Sequence, residues 1–242
     1  MRSPAGPTAY RAVHVVVPAR DEATLLPACL TAVGRAQAAL RRAHPHLRTQ
    51  VTVVAHDCSD ETARVAAALG ADVVEVAGGG VGVARRAGVQ RVVELSAGVD
   101  QREVWVANTD ADSVVPQHWL TRQMELAAQG FAMVVGAVRP DERGLEPRLR
   151  RAWQALHRLD EGHPHVHGAN LGLSLDACLQ VGGFPAVSLH EDVLLVEAVQ
   201  QAGFRWCATT TTLVTTSARR RGRLSGGFAD FLDGLDDPAS AS

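Results

Sequence analysis

Over residues 11–138, short apolar runs alternate with longer stretches whose apolar positions recur at helical spacing. Val13–Val17 predicts a first strand, stopped by Pro18, and Leu26, Cys29, Leu30, Val33 and Leu40 share one face of a helix from about Thr24 to Arg42. Val51–Ala55 predicts a second strand running into His56-Asp57-Cys58-Ser59-Asp60, with a helix to Leu69 closed by Gly70. A third strand, Val73–Val76, leads through Gly78, Gly79 and Gly80 to a helix over Val83–Leu95 that carries Arg85 and Arg86. Val104–Ala107 is a fourth strand, and Phe131–Val138 a fifth, after a helix containing Trp119–Ala128. The alternation predicts βαβ units and a doubly wound, mostly parallel sheet with helices on both faces.

Beyond residue 138 the pattern changes. Asp141–Gly162 is charged, with a helix around Leu149–Leu159, and a histidine-rich loop follows at His163, His165 and His167. Leu171–Leu175 reads as a strand, Asp176–Val181 as a short helix, and Val193–Gln201 as a helix opened by Glu191 and Asp192. Phe204–Thr216 is strand-like, an arginine cluster spans Arg219–Arg223, and residues 236–242 read as a disordered tail.

A chain of 242 residues with 46% apolar and 21% charged residues can bury a sizeable core as one large domain. A net charge of −2 argues against a general nucleic-acid binder. All basic residues are Arg, so a Schiff-base or phosphate-loop lysine mechanism is excluded. Cys29, Cys58, Cys178 and Cys207 show no paired spacing and read as free thiols in a reducing compartment. With no apolar leader and no run of membrane-spanning length, the expectation is a soluble, cytoplasmic protein without an integral membrane segment, peripheral membrane contact being left open.

The chemistry centres on Asp110 and Asp112, which close the fourth strand with Ala111 between them. Residues two apart in extended chain point the same way, so both carboxylates can address one site. Hard oxygen ligands of this kind suit Mn²⁺ or Mg²⁺ holding a phosphate, although for the pair on its own an acidic turn is the commoner explanation.

Further motifs stand in order around that pair: Pro18-Ala19-Arg20-Asp21-Glu22, the acidic turn Asp57–Asp60, Gly168-Ala169-Asn170, Gly182-Gly183-Phe184 and Glu191-Asp192. In this arrangement the chain, from about Val13 to Arg223, resembles the family-2 glycosyltransferases of the GT-A fold. The resemblance implies a single domain. Residues 11–138 would form its nucleotide-sugar-binding half, and residues 139–235 a fused acceptor-binding half.

It also implies roles. Pro18, Ala19, Arg20 and Glu22 would face the base and ribose of a nucleoside diphosphate sugar, a UDP- or GDP-sugar. The aspartate that reads uracil in the family falls on His56, with Asp57 or Asp60 as substitutes. Arg85 would lie beside the sugar nucleotide, where a helix N-terminus could also receive a phosphate. Asp110 and Ala111 would meet ribose and sugar, and Asp112 a Mn²⁺ or Mg²⁺ ion bridging the diphosphate. His167, Gly168, Ala169 and Asn170 would line the donor-sugar and acceptor pocket. Asp192, with Glu191 as the alternative, would be the base that activates an acceptor hydroxyl, giving inversion. Arg219, Arg220 and Arg223 could clamp the diphosphate or form a solvated basic face.

Rival readings are less well matched. A phosphatase of the haloacid dehalogenase type places Asp-x-Asp near the N-terminus with a downstream lysine, and a dinucleotide oxidoreductase wants G-x-G-x-x-G after its first strand. A nucleotidyltransferase lacks its glycine-rich loop here, and a non-catalytic sugar-nucleotide-binding module remains the main alternative.

Overall fold

The computed structural model describes residues 9–143, 146–156 and 159–218. The expected tail at 236–242 and the cluster Arg219, Arg220 and Arg223 lie outside the described residues.

Among the described residues, eight strands form one sheet: β1 (Ala12–Ala19), β2 (Arg48–His56), β3 (Asp72–Val76), β4 (Val104–Asn108), β5 (Ser113–Val114), β6 (Met133–Pro140), β7 (Leu171–Ser174) and β8 (Trp206–Thr216). Their order is β3-β2-β1-β4-β7-β6-β8-β5. β3, β2, β1 and β4 run parallel, as the repeated strand–helix pattern predicts. The sheet is mostly parallel, as expected, and its antiparallel pairs lie in the remainder. β7 enters antiparallel between β4 and β6, so the fifth predicted strand, β6, does not pair with β4. β8 then lies parallel to β6, and the two-residue β5, which the pattern did not predict, pairs antiparallel with β8.

Strand alternation sends side chains to both faces. Val13, Val15, Val17, Trp105 and Ala107 pack with α1 (Leu26–Ala43), α2 (Thr62–Ala68) and α4 (Trp119–Ala128). Val16, Val54, Val104 and Val106 pack with α3 (Val81–Leu95), α6 (Leu175–Gln180) and α7 (Glu191–Gln201). α5 (Pro147–Leu156) begins two residues ahead of the expected helix. Gly88 explains how α3 lies so close to the sheet, since a Cβ there would collide with Val16 Cγ1. The large Trp105 ring keeps its polar edge satisfied, its Nε1–H donating to Gln123 Oε1 at 2.7 Å.

β1 continues through Pro18 to Ala19, in register with Val54 and Ala55 of β2. Val16 faces β4, its carbonyl accepting from Thr109 N–H, so two residues on Pro18 also faces that side. There the β1–β4 ladder has already ended at Val16↔Asn108, and the missing N–H has no ladder bond to lose. Among the described residues, no helix is long and apolar enough to cross a membrane.

Candidate active site

The strand order reverses between β1 and β4, and open α/β sheets bind ligands at the carboxyl ends of the strands beside such a reversal. Both ends carry acidic loops here. β4 stops at Asn108, and Asp110 and Asp112 lie in a tight turn that Ser113 N–H closes by donating to Asp110 O at 3.0 Å. The extended chain assumed for the pair is therefore corrected, since the chain has already turned, and the two carboxylates take different partners. Asp110 Oδ1 reaches Arg85 Nη2 at 2.6 Å, whereas Asp112 Oδ1 accepts from Thr216 Oγ1 at 3.3 Å. The antiparallel β5–β8 pair and Ser217 N–H, donating to Asp112 O at 3.1 Å, fix the Asp112 backbone.

Arg85 is 2% exposed, on the sheet-facing side of α3. Its Nε donates to Glu191 Oε1 at 3.0 Å, so one guanidinium bridges the end of β4 and the start of α7. The Phe184 ring lies 5.7 Å from its Cζ. Arg85 is thus enclosed by protein groups. Burial pushes the Asp110 carboxyl up to about 6, with Arg85 pulling it down and Asp112 and Glu191 pushing it further up.

Glu191 is itself buried, while Asp192 next to it is half-buried. Gly168 N–H donates to Asp192 Oδ2 at 2.6 Å and Val193 N–H to Asp192 Oδ1 at 2.8 Å. Two amide donors orient the carboxylate, and each oxygen keeps a lone pair for a further partner. The N-terminus of α3 is less accessible than its glycine-rich approach suggests. Val187 O accepts from Gly82 N–H at 3.3 Å, which places the loop before α7 over the helix end where a phosphate was expected.

At the β1 end, Asp21 adopts φ 49° and its Oδ1 accepts from Ser59 N–H at 2.7 Å and Asp60 N–H at 3.2 Å. Glu22 is buried, with its N–H donating to Thr62 Oγ1 at 2.7 Å. Asp57, at φ 48°, accepts from Gly78 N–H at 2.7 Å and so ties the β2 loop to the loop before α3. His56 is buried; burial, with Arg20 nearby, lowers its pKa. Asp21, Cys58 and Asp60 bring three ligand-type atoms within 4.8 Å of one another. The Asp21 and Asp60 oxygens already accept hydrogen bonds from Ser59, Ala23 and Thr62, which accounts for the cluster as a loop clamp.

The 167–170 segment divides. His167 and Gly168 edge the Asp192 side, but Asn170 is 1% exposed and does not line a pocket. Its Nδ2 donates to Ala137 O and Thr212 O, both at 2.8 Å, and its Oδ1 accepts from Trp119 Nε1 at 2.9 Å, so both amide hydrogens are committed within the core. His163, His165 and His167 stack in series with ring centroids 6.0 and 6.3 Å apart and form no metal-type cluster among the described residues.

A family model described as "Glycosyl transferase family 2" matches residues 14–172. Comparison with curated proteins gives no match. Among solved structures, the chain is similar to a mannosyltransferase from Pyrobaculum calidifontis in complex with GDP-Man and Mn2+. The TM-score is 0.62 at 19% identity, over 91% of this chain and 60% of that one, so this chain spans less than two thirds of that protein's length. It is also similar to glucosyl-3-phosphoglycerate synthase from Mycobacterium tuberculosis, in complex with Mn2+, uridine-diphosphate and glucosyl-3-phosphoglycerate. That TM-score is 0.57 at 18% identity, over 93% of this chain and 76% of that one.

Proposed function

The chain belongs to glycosyl transferase family 2, and from that premise we propose that it moves a sugar from a nucleoside diphosphate sugar to an acceptor hydroxyl, with inversion at the anomeric carbon. The observation that carries the reading is Asp192, oriented by the Gly168 and Val193 amides and linked through Glu191 and Arg85 to Asp110 at the ligand-binding end of β4. Asp192 takes the proton of the acceptor hydroxyl as its oxygen bonds to the anomeric carbon, and the sugar–phosphate bond breaks with its electron pair leaving on the nucleoside diphosphate.

The donor set suits a divalent cation. Asp110, Glu191 and Asp192 gather around a single buried guanidinium, with Asp112 beside Asp110, leaving surplus negative charge. Asp112 would hold Mn²⁺ or Mg²⁺, and such an ion supplies neutralisation of the charge that develops on the departing diphosphate. The Mn2+ complexes of the two similar structures support that assignment, and their GDP-Man and uridine-diphosphate ligands support a GDP- or UDP-sugar donor. Pro18, Ala19, Arg20, Glu22 and Asp57 would frame the nucleotide. Arg219, Arg220 and Arg223, outside the described residues, would clamp the diphosphate.

The test compares wild type with Asp192→Asn for binding and turnover of UDP-glucose and GDP-mannose, with water or added sugars as acceptor. The variant is expected to bind the donor as wild type does and to lose about 10²–10⁴-fold in turnover. Full turnover by Asp192→Asn would remove Asp192 from the chemistry. Donor binding without turnover in wild type would favour a non-catalytic sugar-nucleotide-binding module.

A further inference from the structure

Three segments far apart in sequence meet at the guanidinium of Arg85. Nη2 holds Asp110 at the end of β4, Nε holds Glu191 at the start of α7, and the guanidinium lies against Gly168, where a Cβ would collide with Nη2. Gly168 is the residue whose amide holds Asp192. Resting on the transferase reading above, we propose that Arg85 is a positioning residue, fixing the donor-side carboxylate and the base helix in one register, with Glu191 as its counter-ion and not the base.

Stability alone does not account for this arrangement. Arg85 Nη1 is buried without a hydrogen-bond partner among the described residues, and a buried charge with an unmet donor is costly. A well-packed apolar set in the same space would hold the fold as well or better. What an apolar set lacks is the planar fork that engages two carboxylates from two elements at once. A lysine ammonium, a point charge on a flexible stem, does not reproduce that fork. The absence of a side chain at Gly168 follows from the same geometry, because the guanidinium occupies the space a Cβ would take.

Arg85→Lys, Glu191→Gln and Gly168→Ala are compared with wild type in three measurements. These are the melting temperature, hydrogen exchange of the amides of residues 165–170, and kcat and KM for hydrolysis of UDP-glucose and GDP-mannose with Mn²⁺. Arg85→Lys is expected to stay folded, to exchange the Gly168 amide about tenfold faster, and to lose about 100-fold in kcat with KM changed by less than about threefold. Glu191→Gln, which keeps the guanidinium and its Asp110 contact, carries the same expectation if Arg85→Lys does not fold. A lower melting temperature with unchanged kcat and unchanged Gly168 exchange would overturn the proposal and make Arg85 a structural ion pair. If wild type turns over neither donor, the transferase reading falls, and Gly168 exchange alone then decides whether Arg85 positions Asp192.

Discussion

Gly168 N–H donates to Asp192 Oδ2 at 2.6 Å, and residue 168 also forms the surface against which the Arg85 guanidinium rests. One backbone position therefore serves both the carboxylate proposed as the base and the cation among its neighbours.

Asn170→Ala should destabilise the protein by about 2–4 kcal/mol, because Ala137 O, Thr212 O and Trp119 Nε1 would lose their buried partner together. Urea unfolding measures this, with the midpoint lowered and the slope unchanged. A loss under about 1 kcal/mol would mean that water or a shifted side chain replaces those bonds.

His14 sets a pH dependence remote from the site. Burial lowers its pKa from 6.5 to about 4, with Asp72 pulling weakly the other way, and its Nε2 lies 3.1 Å from Ser96 Oγ. Between these values the unfolded chain binds a proton that the folded protein does not, so stability rises with pH through the window and is lost as pH falls. The contribution lost between pH 7 and pH 5 is about 2 kcal/mol. Unfolding of wild type and His14→Gln at both pH values should show a smaller loss in the variant; equal losses would contradict the assignment.

Cys58 reports on the loops proposed to frame the nucleotide. Its thiol is half-buried and bridges the two loops, accepting from Asp21 N–H at 3.4 Å and donating to Ala19 O at 3.4 Å. Cys29 and Cys178 are buried, and burial pushes the Cys178 thiol up to about 12. Native alkylation followed by peptide mapping should modify Cys58 well before Cys29 or Cys178, and GDP or UDP with Mn²⁺ should slow it. Labelling of Cys58 at the same rate with saturating nucleotide would place the nucleotide elsewhere.

The parallel half of the sheet was legible because buried parallel strands are written as apolar runs, as in Val13–Val17 and Val104–Ala107. The run Leu171–Leu175 is equally plain as a strand, but nothing local states that it pairs antiparallel between β4 and β6. Strand order depends on contacts far apart in sequence. Arg85 carried a signal that went unused: it sits with Ala84, Gly88 and Val92 on the buried stripe of α3, where a charge requires a partner. That partner, Glu191, lies 106 residues away, beyond any periodicity. Asn170 was expected in a pocket by resemblance, and its four-residue segment gives no sign that Trp119 and Thr212 would enclose its amide.

The most direct test of the donor site is thermal stabilisation by GDP and UDP, with and without Mn²⁺, in wild type and Asp112→Ala. A ligand that binds only the folded state raises the melting temperature, by a binding contribution of about 2.7 kcal/mol at one hundred times its Kd. One of the two nucleotides is expected to give a shift that requires Mn²⁺ in wild type and is lost in Asp112→Ala. A shift of equal size without the ion, or one retained in Asp112→Ala, would contradict metal-dependent donor binding at the carboxyl end of β4.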